Sequence, residues 1–270
     1  MKYNKHSIPL TVFVLIFPFL TLFGQKGESS VIVEYRYSNA YYANVETLLS
    51  NQKEAVYVRP SLDVKSDDKE IKLNEEGGYV LPIGNIKSSA ISYFMNSTNY
   101  VVNEYTVNSD NKRYIARDTS IVLSWKIDKK SMKKISDYTC FKATTNFRGR
   151  DYVAYYTEDI PLPFGPFKFK GLPGLILEIQ NLEDDNKHYW VATKIKSAQG
   201  VKLPKLSELT APSLNKYQLF LMDRKIKTDR LNSENARLPQ GVSFLNNTVE
   251  NLSIEKIYEW ETPENDKNKK

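Results

Sequence analysis

The sequence predicts a mainly β protein built on a curved, open antiparallel sheet with one or two helices. Three observations carry that expectation. Short runs rich in Tyr, Val, Ile and Thr recur along the chain with polar turn clusters between them, the pattern of strands joined as hairpins. No strand–helix–strand rhythm interrupts them, which argues against a parallel doubly wound sheet. Aromatic residues make up 12% of the 270 residues, with 18 Tyr and 12 Phe, enough to line the concave face of a sheet that curls into an incomplete barrel.

The chain starts with a segment unlike the rest. Lys2 and Lys5 precede Ile8 to Phe23, an apolar run broken only by Thr11 and Thr21 and holding Pro9 and Pro18, and Gly24 ends it. Sixteen residues with two prolines fall short of the ~20 that span a bilayer. The segment therefore reads as a signal peptide, residues 1–24, with Gln25 as the new N-terminus and an exported product, periplasmic or secreted. The segment has no following cysteine, so it is not a lipoprotein signal. Removing it takes the net charge from +6 to +4. A scattered excess that small gives no nucleic-acid surface, and the Lys129–Lys134 run reads as a solvated turn between strands. Sequons begin at Asn96, Asn246 and Asn251 and matter only in a eukaryotic secretory pathway.

Residues 25–260 read as one β-rich domain. Strands are expected at Val31–Tyr37, Ala90–Met95, Tyr100–Val107, Ser120–Ile127, Tyr138–Phe147, Tyr152–Thr157, Leu175–Gln180 and Tyr189–Ile195. Turns fall at Glu76-Gly77-Gly78, Asn108–Asn111, Arg148–Asp151 and Glu183–Asn186. Ala43–Asn51 is a candidate helix on the spacing of Val45, Leu48 and Leu49. Ser213–Lys227 is a better one, with Ser213 as N-cap and Leu214, Tyr217, Phe220 and Leu221 at helical intervals. Leu203–Pro212 is a connector, Arg237–Gly241 a turn, Val249–Trp260 a last strand, and Glu261–Lys270 a charged, frayed tail.

One block stands out, YTCFKATTNFRGRDYVAYYTEDIPLPFGPFKFKGLPGLILEIQ at residues 138–180. Leu172-Pro173-Gly174 is a turn signature, with proline fixing φ and glycine accepting positive φ, and Gly171 lets the backbone pass close to a neighbour. Leu175–Ile179 then reads as a strand buried on both faces. Ile160-Pro161-Leu162-Pro163 is extended, and Phe164, Phe167 and Phe169 alternate with polar or glycine positions and cover the sheet. The block is either a fixed corner between two strands or a ligand site. Arg148 and Arg150 can grip a carboxylate or phosphate, or pair with Asp151, Glu158 or Asp159 across a hairpin turn. The candidate binding residues are Arg148, Arg150, Phe164, Phe167 and Phe169, on a frame of Gly165, Pro166, Gly171, Leu172, Pro173 and Gly174.

The string Gly171-Leu172-Pro173-Gly174-Leu175-Ile176 resembles the motif of the GLPGLI family. So do Tyr138 and Cys140 before Lys142-Ala143, Phe147-Arg148-Gly149-Arg150, the aromatic at Tyr155, Asp159-Ile160-Pro161, Gly165–Phe169, and Trp125 upstream. The resemblance runs from about Ser124 to Trp190. It implies an exported protein of a kind common in Bacteroidetes-type bacteria, with no activity assigned.

Counting narrows the chemistry. With Cys140 the only cysteine and His6 and His188 the only histidines, zinc sites built on several such ligands are excluded. A serine hydrolase lacks its nucleophile elbow. A Cys140–His188 dyad is formally available, although a cysteine in a strand pattern is ordinarily a small buried thiol. Glu183-Asp184-Asp185 lacks calcium-loop spacing, and paired carboxylates are not distinguishable in one dimension. No catalytic residue, metal or cofactor is assigned. The expected function is a non-enzymatic envelope protein binding an apolar or amphipathic ligand, by fold-level analogy with lipocalins and lipoprotein carriers. The alternatives are an interaction module that docks on another envelope protein through a sheet edge, and a hydrolase using Cys140 or paired carboxylates. No stable membrane span is expected after processing, and the oligomeric state is open.

Overall fold

The computed structural model describes residues 29–40, 42–64, 72–73, 79–80, 86–183, 187–199, 202–238 and 253–261. The expected signal peptide, the tail from residue 262, the Glu76–Gly78 turn, residues 184–186, residues 239–252 and the sequons at Asn246 and Asn251 lie outside these.

The first half of the chain forms β1 (Ser29–Ser38), β2 (Ala43–Ser50), β3 (Glu54–Arg59), β4 (Leu62–Val64), β5 (Lys72–Leu73), β6 (Tyr79–Val80), β7 (Ile86–Ser88), β8 (Ile91–Asn96), β9 (Val102–Val107) and β10 (Arg113–Asp118). The second half forms β11 (Lys126–Ile135), β12 (Tyr138–Phe147), β13 (Arg150–Thr157), β14 (Leu175–Asn181), β15 (Tyr189–Gln199), β16 (Ser213–Asn215) and the helix α1 (Lys216–Asn235). Twelve of the strands make one sheet in the order β11-β12-β13-β14-β15-β1-β2-β3-β8-β9-β10-β16, and β4–β7 and β5–β6 are separate short ladders. Every ladder is antiparallel except β10–β16. The fold is therefore the expected mainly antiparallel, open sheet, with one α-helix among the described residues. Two meanders are joined through β1, which lies between β2 and β15.

Inward positions alternate as a pleated strand requires. Val33, Tyr35 and Tyr37 of β1 are buried, as are Leu48 of β2, Tyr57 of β3 and Tyr93 and Met95 of β8. Tyr152, Trp190 and Phe147 complete the far side of the core. Each such side chain contributes roughly 2–3 kcal/mol by leaving water.

The sheet is strongly rolled, and side-chain contacts measure it. β12 and β10 stand second and eleventh in the order, about 43 Å apart in a flat sheet with strands about 4.8 Å apart. Yet Arg148, the residue after β12, donates to Asp118, the last residue of β10, at 2.8 Å. The two wings meet through side chains, while the edge strands β11 and β16 remain unpaired with each other.

Four element expectations are corrected. Ala43–Ser50 is strand β2, not a helix; its period of two is carried by buried Glu46, Leu48 and Ser50, and two polar residues on the inward face hid it. Ser120–Ile127 is not a strand, because pairing starts only at Lys126 and runs through the expected Lys129–Lys134 turn to Ile135. A bulge between Asp128 and Met132 takes up the lysines, with the Asp128 carboxylate accepting from the Lys130 N–H at 3.0 Å and the Ser131 hydroxyl at 2.6 Å. Lysines on an edge strand also discourage edge-to-edge pairing. The second helix starts at Lys216, capped by Asn215, whose side chain accepts from the Tyr217 and Gln218 N–H groups; Ser213 instead opens the parallel pair with β10. Residues 253–258 are irregular and Glu259–Glu261 is a 3-10 turn, not a last strand. The Lys256 and Ile257 N–H groups both donate to the Arg148 carbonyl, which leaves no ladder to form. Residues 249–252 lie outside the described part.

Candidate functional site

The connection between β13 and β14 positions the site. It leaves the sheet at Glu158 and carries a loop, residues 164–170, that is buried throughout. The neck is pinned by the Phe164–Lys170 bridge and by Gly171 N–H to the Pro163 carbonyl at 2.9 Å and Ile176 N–H to the Phe164 carbonyl at 3.0 Å. Tyr35 of β1 donates its hydroxyl to the Ile176 carbonyl at 2.6 Å, tying the loop's exit to the middle of the sheet.

The two glycines of the motif have exchanged their expected roles. Gly171 carries the positive φ, +93°, and a side chain there would meet only the Trp125 indole, at 3.9 Å. Gly174 is the close approach: a Cβ there would sit 1.9 Å from the Thr157 carbonyl oxygen. The turn proline fixed the local path, but only the packing of the two strands decides which glycine is pressed against backbone.

The loop fills the concave face with aromatic rings. Phe167 stacks near Trp190 at 6.4 Å and meets Tyr93 edge-on at 5.1 Å, while Phe169 packs on Tyr152 at 4.7 Å and Phe147 at 5.5 Å. Phe164 is wholly buried in the same core. Phe167 has φ of +55°, a strained conformation for an aromatic residue that survives only where packing over-determines it.

Between these rings the loop delivers a charge into the interior. The Lys168 ammonium is fully buried and meets three carboxylates: Asp118 at 2.9 Å, Glu255 at 2.5 Å, and Glu104. The ammonium donates hydrogen bonds to Asp118 and Glu255 and lies against Glu104 as an ion pair. Arg148 forks onto Asp118 with 2.9 and 2.8 Å bonds and also holds Glu255 and Glu259. Lys216, the first residue of α1, reaches the other Glu104 oxygen at 2.6 Å. Burial works against each of these charges, and the partners overcome it. Asp118 is held well below the usual carboxylate range by Lys168 and Arg148, Glu255 is drawn down to about 2 by Lys168 and Arg148, and Lys168 is raised by Glu104 and Glu255. The carboxylates of Glu104, Asp118 and Glu255 lie within 4.8 Å of one another, close enough to share a cation. Lys168 supplies that cation.

This network forms one wall of a cavity of about 300 Å³. Tyr37, Tyr93, Phe167, Ile254 and Glu255 make its buried floor, and the partly exposed Tyr42, Arg59, Ile91, Lys216 and Tyr258 make its rim. Behind the lining residue Arg59, Glu46, fully buried, accepts from Arg59 Nε at 2.8 Å, Trp190 Nε1 at 3.0 Å and the Tyr57 hydroxyl. The guanidinium of Arg59 lies 5.3 Å from the centre of the Tyr37 ring. The Tyr37 hydroxyl in turn shares a 2.7 Å hydrogen bond with His188 Nδ1, and burial drops the His188 pKa to about 4, with the charges of Arg150 and Arg59 adding to the effect.

Neither arginine of the sequence block pairs with Asp151, Glu158 or Asp159. Arg148 and Gly149 form a two-residue hairpin with φ of +46° and +80°, the primed turn that suits strand twist. That turn aims Arg148 inward at Asp118, Glu255 and Glu259. Arg150 is also buried; it grips the Ser253 carbonyl at 2.9 and 3.2 Å and pairs with Glu183. Asp151 and Glu158 bond instead to Asn146 and Lys129. Of the expected binding residues only Phe167 lines the cavity. Glu104, Asp118, Lys168, Lys216 and Glu255 were missed, since they are dispersed over the chain and share no local pattern. Lys168 lay inside the block but read only as the polar spacer between two phenylalanines.

Cys140 and His188 do not meet. Cys140 is buried beside the Phe141–Tyr156 pair, with its thiol pushed up to about 11 by burial. His188 precedes β15, three strands away, where its N–H donates to the Asn181 side chain.

Residues 148–178 match the model of a family described as "Protein of unknown function (Porph_ging)". No curated protein matches the chain. Among solved structures, two crystal forms of PNGF-II align at 16% identity over 73% of this chain, with TM-scores of 0.48 and 0.49. The aligned part spans about a third of PNGF-II, 33–34% of its length. The LolA superfamily protein NE2245 from Nitrosomonas europaea aligns at 7% identity over 68% of this chain and 93% of its own, with a TM-score of 0.27.

Proposed function

We propose that this chain is an exported, non-enzymatic binding protein of the cell envelope, of the GLPGLI kind, whose interior cavity takes a small amphipathic ligand. The observation that carries the reading is the cavity itself. It has aromatic floor residues beside fixed polar groups, in the size range of small-molecule sites. Its charged walls favour the amphipathic version of the expected ligand over a purely apolar one, because an alkyl chain would strip water from Arg59 and Lys216 without replacing it. The family match to residues 148–178 agrees with a protein without assigned activity, and no described helix is long and apolar enough to cross a membrane. The lysine-guarded edge strand β11 speaks less for docking through a sheet edge.

Native mass spectrometry of the full protein purified from its own envelope tests this reading. A stoichiometric small molecule that leaves on unfolding supports it. A clean apo mass, together with no small-molecule protection against thermal unfolding, sinks it.

A further inference from the structure

The cavity carries information about the chemistry of its ligand. A guanidinium has five N–H donors. In Arg59, Nε is spent on Glu46 at 2.8 Å, and Nη2 makes only a 3.4 Å contact to the Tyr42 hydroxyl. Nη1 has no partner among the described residues. The side chain is nevertheless only 17% exposed and lies on the cavity wall. The unpartnered Nη1 reaches solvent through the cavity, and together with Nη2 it forms an edge that matches a planar oxyanion.

The other charges around the cavity do not compete for this role. Lys216 is bound to Glu104, and Glu104 and Glu255 are held by Lys168, Lys216 and Arg148. Glu46 has all its described contacts on Arg59 Nε, Tyr57 and Trp190, behind the guanidinium. The network wall is thus charge-matched, and Arg59 brings to the cavity a guanidinium with an unpartnered nitrogen among the described residues. Beside it stand the rings of Tyr37, Tyr42 and Tyr93, which suit a flat apolar body.

We infer that Arg59 is the anchor of the cavity, and that the ligand is a flat monocarboxylate whose carboxylate meets the Nη edge while its apolar body lies among Tyr37, Tyr42 and Tyr93. This rests on the reading of the cavity as a binding site. A single negative charge fits better than a dianion, since every cation at the cavity, Arg59 with Glu46 included, already has a carboxylate partner. Burial opposes the Arg59 charge, but Glu46 and the surrounding tyrosines keep it protonated at any working pH.

Titration of the full mature chain with benzoate, benzamide and phenyl phosphate, followed by tyrosine-ring and arginine side-chain NMR shifts, tests the assignment. Benzoate is expected to bind about tenfold or more tighter than its neutral isostere, the worth of a charge-assisted hydrogen-bond pair, and to shift the Arg59 Nη resonances. Arg59→Lys, which keeps the charge but loses the fork, should remove most of that preference. Because Arg59 partners buried Glu46, the Glu46→Gln/Arg59→Gln double variant serves if the single variant does not fold, and the preference measured in the unaltered protein needs no variant. Equal binding of benzoate and benzamide overturns the anion anchor yet leaves a binding cavity. Preference for phenyl phosphate overturns the monocarboxylate assignment. No benzoate binding at millimolar concentration overturns the inference, while co-purification separately decides the proposed function.

Discussion

Arg148 and Asp118 are joined by two parallel hydrogen bonds, Nη1 to Oδ2 at 2.9 Å and Nη2 to Oδ1 at 2.8 Å, with both side chains fully buried. The pair connects strands nine places apart in one sheet. It therefore acts as the clasp of a rolled sheet whose backbone ladders never close.

Breaking that clasp from one side leaves uncompensated charge. Arg148→Met leaves Asp118 and Glu255 to share Lys168, an excess of buried negative charge, and the loss should be roughly 3–5 kcal/mol. Arg148→Lys keeps the charge without the fork and should fall between. Urea unfolding followed by tryptophan fluorescence measures both. A loss below about 1 kcal/mol for Arg148→Met, the size of a surface pair, contradicts the clasp.

The exchanged glycine roles can be separated by two single substitutions. Gly171→Ala meets a positive φ in open space and should cost about 1–2 kcal/mol. Gly174→Ala drives a methyl group onto the Thr157 carbonyl and should reach the upper end of the roughly 1–3 kcal/mol overpacking range or exceed it. Thermal unfolding of the two variants side by side decides. The reverse ranking would show that strand β14 moves away to admit the methyl.

His188 supplies a pH dependence of known sign. The folded protein keeps the ring neutral down to about pH 4, whereas the unfolded chain takes up its proton near pH 6.5. The unfolded state thus binds more protons across that window, and stability falls as the pH drops from 6.5 to 4 by roughly 3 kcal/mol at most. His188→Gln should flatten this part of the stability–pH curve. An unchanged slope assigns it to other groups.

Below that window the carboxylates take over. Glu255 has its pKa drawn from 4.5 down to about 2, so its stabilising contribution is complete above about pH 4.5 and is lost as the pH falls toward 2. Residues 253–261 are held to the sheet through this carboxylate together with Arg148, Arg150 and Tyr152. Fluorescence of Trp260, with Trp125 and Trp190 replaced by Phe, should report release of this segment in the same acid range. Release already complete at pH 5 would contradict the role of Glu255.

Lys168 stands where a metal ion would. Lys168→Ala brings Glu104, Asp118 and Glu255 together without a central cation, and the variant should be strongly destabilised at neutral pH. Millimolar Ca²⁺, a hard cation with oxygen ligands at about 2.3–2.6 Å, should recover part of the loss in the variant and leave the unaltered protein's melting temperature unmoved. No calcium effect on the variant would mean that the carboxylates swing apart when the ammonium goes.

Much of the strand content was legible, because Tyr138–Phe147, Tyr152–Thr157 and Leu175–Gln180 carry β-formers bounded by turn residues, and these signals are local. β2 was not, since Glu46 and Ser50 occupy its inward face and belong there only because Arg59, Tyr57 and Trp190 come to meet Glu46. β11 was misjudged for the converse reason. Its lysines look like a turn, but an edge strand has solvent on one side to receive them.

By itself the sequence determined the antiparallel meander, the tight Arg148-Gly149 hairpin and the rigid proline–glycine path from Pro161 to Gly174, since each depends on φ preferences and on alternation within a few residues. Only the tertiary structure decided that this path dives into the concave face, that Arg148 and Lys168 neutralise acids as distant as Glu104 and Glu255, and that a polar-walled cavity remains beside Arg59. Those outcomes depend on how far a twelve-stranded sheet rolls. Roll accumulates over many ladders and brings together charges that share no local sequence pattern.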